Sequence, residues 1–90
     1  LFRSYTSSGI VIVDFYAHWC GPCKVLGKTL VDIARQFPQV TIVKVDVDKL
    51  GNIASGIRSI PVLRIFKDGQ QVQEKVGNIG KSALESIING

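Results

Sequence analysis

The run Ile10-Val11-Ile12-Val13-Asp14-Phe15-Tyr16 is apolar at odd and even positions alike, so a strand built from it has no face to give to water. It must lie inside a sheet that is covered on both sides, and it is the expected centre of that sheet. Part of the cover follows in the sequence. After Cys23 the apolar residues Leu26, Leu30, Ile33, Ala34 and Phe37 recur at three- and four-residue steps, which predicts a helix with one face on the sheet until Pro38 stops it.

Residues 40–45 form a second β-branched run. A helix between two such strands makes a right-handed βαβ crossover the expected connection, and the strands are then parallel. Residues 46–48 read as a polar loop, 50–55 as a short helix with Gly56 placed to end it, and 57–60 as the approach to Pro61. Residues 62–67 and 71–76 flank Asp68-Gly69, a pair suited to a type I′ turn because both central positions of that turn need positive φ. Residues 81–89, with Ala83, Leu84, Ile87 and Ile88 on one face, close the chain as a helix. The expected fold class is therefore α/β with βαβαββα connectivity: a mixed four-stranded sheet in spatial order 2-1-3-4, with helices on both faces.

No repeat or linker interrupts this pattern, so residues 10–90 are expected to form one domain. Residues 1–9 are rich in hydroxyl side chains, carry one Arg and lack acids, which fits a flexible leader or the remnant of a transit peptide. The absence of Met from the sequence points to processing or trimming. No apolar run reaches the roughly 18 residues that span a bilayer, so no membrane helix is expected. The net charge of +4 comes from 11 basic and 7 acidic residues that interleave along the chain, so no basic stripe for nucleic acid forms.

The chemistry is concentrated in Trp19-Cys20-Gly21-Pro22-Cys23. A bridge between cysteines this close in sequence is a weak staple, worth less than about 2 kcal/mol by loop entropy, so the pair is read as reactive. Disulfide exchange needs an attacking thiolate, a second thiol that resolves the mixed disulfide, and a geometry in which the two sulfurs meet. At the start of a helix, unpaired amide groups and the positive end of the helix dipole stabilise an anion, which lowers the pKa expected for Cys20. Cys23, one turn in, is the expected resolving thiol. Pro22 has its φ already near the helical value and stiffens the spacer, while Gly21 leaves an open approach. Two cysteines at this spacing also occur in zinc ribbons, but His18 is the only histidine and a third cysteine is lacking, so no metal site is expected.

Asp14 stands in the middle of the apolar strand. Burial without a partner is costly for a carboxylate and should raise its pKa, which marks Asp14 as more than structural. The alternative is a core aspartate bonded to backbone.

Cys-x-x-Cys beside a βαβ pattern is a general sign of thioredoxin-like redox proteins. Here the run Val13-Asp14-Phe15-Tyr16-Ala17-His18-Trp19-Cys20-Gly21-Pro22-Cys23-Lys24 resembles the thioredoxin active-site signature, and Ile60-Pro61 and Val76-Gly77 recur where that family has them. The resemblance implies a protein-disulfide reductase with no cofactor beyond the redox-active Cys20–Cys23 pair. It would donate electrons to disulfide-containing target proteins, be recharged by a thioredoxin reductase, and act as a monomer in a reducing compartment, cytoplasm or mitochondrion. It further implies that Asp14 lies behind Cys23, accepts its proton through a water and interacts with Lys44. The Ile60–Pro61 bond would be cis and face the cysteines, and Trp19, Ile60, Pro61 and Gly77 would form the substrate-docking patch. A redox-inert interaction module and a disulfide oxidase or isomerase are the competing functions.

The sequence departs from the family pattern in places. Many thioredoxins have a strand and a helix before the central strand, and residues 1–9 are too few for both, so residues 40–45 are expected at an open sheet edge. In the active-site helix, Gly27-Lys28 stands where the family commonly has a kinking proline, so any bend would come from Gly27.

Overall fold

The computed structural model describes residues 9–50 and 59–90. β1 (Ile10–Tyr16) is followed by α1 (Gly21–Gln36), β2 (Val40–Asp46), a helical turn α2 (Val47–Leu50), β3 (Val62–Lys67), β4 (Gln70–Val76) and α3 (Lys81–Asn89). The four strands form one sheet in the order β2-β1-β3-β4. β1 pairs with β2 in parallel and with β3 antiparallel, and β3 pairs antiparallel with β4. The expected architecture and strand order are both observed.

The doubly apolar sequence of β1 is explained by two separate clusters. Ile12 packs with Leu26, Leu30 and Ile33 of α1, Leu63 and Ile65 of β3, and Leu84 and Ile88 of α3. Val11, Val13 and Phe15 point the other way and pack with Val45 and Val62. Because successive strand residues alternate between faces, Asp14 and Tyr16 share the α1 face with Ile12. β2 is an outer strand among the described residues, as its expected open edge requires.

Several boundaries and faces differ from expectation. Ala34 and Ala83 were placed on the buried helix faces and are exposed. They lie on the solvent side of the stripe whose layer is filled by Leu30, Ile33, Leu84 and Ile88. The expected polar loop at 46–48 is instead the end of β2 and the start of α2, with the Asp48 amide donating to Asp46 Oδ1 at 2.9 Å. Of the helix expected over 50–55, only Leu50 falls within α2, and the rest, with Gly56 and Ile57, lies outside the described residues. The expected leader lies outside them too, apart from Gly9.

The hairpin turn behaves as its sequence demands, with φ of 52° at Asp68 and 84° at Gly69. Asp68 also ties the turn to the start of β1: its amide donates to the Gly9 carbonyl at 2.9 Å, and its Oδ1 accepts from the Gly9 amide at 3.0 Å. β4 starts at Gln70, one residue earlier than expected, and a register shift between Ile65 and Phe66 marks a bulge in this hairpin.

Candidate active site

The site sits where β1 hands over to α1, at the end of the sheet occupied by Tyr16. Cys20 is the N-cap of α1, in extended conformation (φ −90°, ψ 110°), and Pro22 falls in the first turn, where its missing N–H costs nothing. Cys20 and Cys23 are joined by a disulfide, with Cα atoms 5.2 Å apart. The Cys23 amide donates to Cys20 Sγ at 3.2 Å, so the sulfur of Cys20 occupies the place of a capping acceptor. An orphan helix amide aimed at that atom, with the positive end of the helix dipole behind it, favours negative charge on Cys20 over negative charge on Cys23. Exposure does not separate the two, since Cys20 is 5% and Cys23 3% accessible.

Asp14 is fully buried, and neither of its carboxylate oxygens accepts a hydrogen bond from the described residues. The alternative of a backbone-bonded core aspartate is therefore not what is observed. Burial pushes its carboxyl up from 3.8 to about 6, and the charge of Lys44 opposes that rise. Lys44 is the register partner of Asp14 on β2, and its Nζ lies 3.9 Å from Asp14 Oδ2. A cavity of about 390 Å³ opens beside Lys44, lined also by Tyr16, His18, Cys23, Lys24 and Gly27 among others. The arrangement places the inner cysteine at a pocket that Lys44 also lines, with a carboxyl of near-neutral pKa beside that lysine.

Around the cysteines, Trp19 is 71% exposed, so core packing does not explain it. Its Nε1–H donates to Asp48 Oδ2 at 2.9 Å, which pins the indole across the surface next to Cys20. Ile60 packs against the cluster of Ala17, Cys20 and Cys23, and the Ile60–Pro61 bond is cis. Gly77 donates its N–H to the Pro61 carbonyl at 2.8 Å and thereby joins the same surface. Gly21 is exposed, and a Cβ added there would meet nothing within 4 Å. Of the residues expected to build the site, Cys20, Cys23 and Ile60 share one cluster that Gly77 reaches through Pro61, and Lys44 links Asp14 to the cavity that Cys23 lines.

Gly77 has φ +91°, yet an added Cβ would meet nothing within 4 Å. The cost of Gly77→Ala is therefore conformational alone, and a loss of about 1–2 kcal/mol is expected in urea unfolding. An unchanged midpoint would mean that this segment relaxes to negative φ without penalty.

Sequence reasoning missed a second set of contacts. Asp46, assigned to a loop, is buried, and its Oδ2 lies 3.2 Å from His18 Nε2. The His18 ring meets Tyr16 edge to face, with centroids 5.6 Å apart and an interplanar angle of 83°. Tyr16 in turn lies under Lys44, whose Nζ is 4.6 Å from the ring centroid. The alternation Asp46-Val47-Asp48 after a β-branched run was the available signal, but its partners are set by the parallel register that puts Tyr16 opposite Asp46.

Comparison with known proteins gives one consistent result. The family model for thioredoxin matches residues 2–90. A thioredoxin of Chlamydia muridarum is 44% identical over 90 residues, covering 98% of this chain and 88% of the relative. A point-mutant thioredoxin of Halobacterium salinarum superposes with a TM-score of 0.90 at 40% identity, covering 98% of this chain and 80% of that one. The oxidised mitochondrial thioredoxin 3 of Saccharomyces cerevisiae superposes with a TM-score of 0.87 at 35% identity, covering 98% and 85%.

Proposed function

The chain belongs to the thioredoxin family and is a protein thiol–disulfide oxidoreductase, and from that premise we propose how its residues divide the reduction of a target disulfide. The Cys20 thiolate attacks one sulfur of the target, forming a mixed disulfide and releasing the other target sulfur as a thiolate. The Cys23 thiol passes its proton to Asp14 through a water. The Cys23 thiolate then attacks Cys20 Sγ, closing the Cys20–Cys23 bridge and releasing the second target thiolate. Two electrons leave the dithiol and two reduce the target, and the proton on Asp14 is returned through the adjoining cavity to solvent. Lys44 limits how far the Asp14 pKa rises, and so keeps the carboxylate available near neutral pH.

The observation that carries this division is the Cys23 amide donating to Cys20 Sγ at the head of α1, because it makes Cys20 the sulfur best able to bear charge. Trp19, Ile60, Pro61 and Gly77 supply the docking surface, and Gly21 and Pro22 hold the approach open and the spacer stiff. The chemistry needs no cofactor beyond the cysteine pair. A thioredoxin reductase recharges the pair, the partners are disulfide-containing proteins rather than nucleic acid or membrane, and the protein works as a monomer in a reducing compartment, cytoplasm or mitochondrion. Among the described residues, no helix is long and apolar enough to cross a membrane.

Insulin reduction tests both halves of this reading. With dithiothreitol as the electron source the protein should accelerate insulin precipitation, and with NADPH and a thioredoxin reductase it should couple NADPH oxidation to the same reaction. Failure in the first arm rejects disulfide reduction, while failure in the second alone rejects the reductase as partner.

A further inference from the structure

Lys44 is half exposed, and its four-carbon stem would ordinarily let the ammonium wander. At 3.9 Å from Asp14 Oδ2 it is close enough for a strong Coulomb interaction but too far for a good hydrogen bond, so its influence depends on what else holds it in place. We infer that Tyr16 is the positioning residue of this proton site: the face of its ring holds the Lys44 ammonium over Asp14, and His18, anchored by Asp46, braces the ring from its edge.

The ammonium is half exposed but bounded by the Tyr16 ring, Asp14 and the helix backbone at Gly27. The Tyr16 centroid lies 4.6 Å from Nζ, within cation–π range. From α1, a Cβ built on Gly27 would sit 3.5 Å from Nζ, so the ammonium passes close to helix backbone at a position with no side chain. Tyr16 and Asp14 lie two residues apart on one face of β1, and the register Asp14↔Lys44, Tyr16↔Asp46 makes Lys44 a diagonal neighbour of the ring. The brace continues outward: His18 meets the ring at 83°, His18 Nε2 lies 3.2 Å from Asp46 Oδ2, and Asp46 Oδ1 is fixed by the Asp48 amide at 2.9 Å. The brace ends on Asp46, which is buried and held by backbone, while His18 itself lies at the surface, so the ring and its edge contact restrict the lysine without burying it.

The groups around Asp14 are few. β2 contributes Lys44, and β3 places the apolar Leu63 opposite it. The cavity adds Cys23, Lys24 and Lys28 from α1 and His18 from the loop before it. Lys24 and Lys28 are exposed side chains with no ring or carboxylate partner among the described contacts, so they supply a diffuse field and not a fixed charge. If the ring is removed, the ammonium should spend less time over Asp14, and the carboxyl should rise above its present value of about 6.

This inference rests on Asp14 being the proton acceptor for its functional meaning, but its test reads Asp14 directly. In the oxidised full chain, the carboxyl carbon of Asp14 is titrated by NMR. Tyr16→Leu should raise the midpoint by about half a pH unit, and Tyr16→Phe should leave it unchanged. In a Lys44→Met background, adding Tyr16→Leu should have no further effect. An unmoved midpoint in Tyr16→Leu, or an equal shift with and without Lys44, would overturn the inference, the second because the ring would then act by burial alone. The wild type offers a check that needs no variant: the ε-methylene protons of Lys44 should be shifted upfield by the ring, and random-coil values would overturn the inference as well. If Asp14→Asn leaves the pH profile of insulin reduction unaltered, the acceptor role fails while these titrations still decide the role of Tyr16.

Discussion

Between about pH 4 and about pH 8, Asp14→Asn is expected to gain roughly 3 kcal/mol of stability on the wild type in the oxidised state. The cause is the full burial of a carboxyl whose pKa moves from 3.8 to about 6 on folding. Between those two values the native protein holds a proton that the unfolded chain has lost, so wild-type stability falls as pH rises through the window and stays reduced above it. Asparagine has no proton to lose and escapes the penalty. Comparing the two proteins by urea unfolding across pH cancels the fixed cost of burying an amide, which leaves the pH-dependent part. A gap between the two curves that stayed constant with pH would show that Asp14 is not strained in the folded state. The stabilised variant should also be the poorer catalyst. Losing a general base placed to act on Cys23 should slow target release by roughly 100-fold, and the wild-type rate should climb as pH passes about 6 whereas the variant's should not.

Cys20→Ser should abolish insulin reduction, a fall of at least about 1,000-fold, because a serine hydroxyl is not ionised at neutral pH and cannot attack a disulfide. Cys23→Ser should behave differently. Cys20 keeps its place at the head of α1, where the residue-23 amide still faces its sulfur, so the first attack proceeds and stops at the mixed disulfide. Mass spectrometry should then find a stable adduct on Cys20 of Cys23→Ser and none on Cys23 of Cys20→Ser. The opposite pattern would reverse the assignment of attacking and resolving thiols. Thiol titration provides the energetic counterpart, since the Cys20 thiol should ionise below the range of free cysteine when the pair is reduced.

The two experiments bear on different parts of one trade. The helix terminus stabilises the charge that starts the reaction, whereas the buried carboxyl destabilises the protein in order to finish it. Only the second should improve folding when removed, which is why Asp14 is the position where stability and turnover are expected to move in opposite directions.

Much of this is legible in the sequence itself. The doubly apolar β1 demanded a covered central strand, the spacing of Leu26, Leu30 and Ile33 a helix on one face, and Asp68-Gly69 a tight hairpin, and each is local chemistry that a short window of sequence contains. The Cys20–Cys23 site was equally local, because helix start, spacer and both sulfurs occupy consecutive residues. Asp14 announced itself by being charged in an apolar run. Strand order and the parallel pairing of β1 with β2 were legible too, from the helix that connects them; what escaped was the contacts set by the residue-by-residue register. The register put Asp46 opposite Tyr16, which nothing in the sequence announced, whereas Lys44 beside Asp14 was already implied by the family resemblance, as was the place of Pro61 and Gly77. Side chains about 30 residues apart have no periodicity in common, so Trp19 with Asp48 and His18 with Asp46 could not be paired from the sequence. The sequence by itself determined the elements and the reacting sulfurs, since both arise from neighbours along the chain. Tertiary structure alone decided what surrounds the Lys44 charge, Tyr16, His18 and Asp46, since a charge is tuned by whatever packs within a few ångströms of it, wherever that lies in the chain.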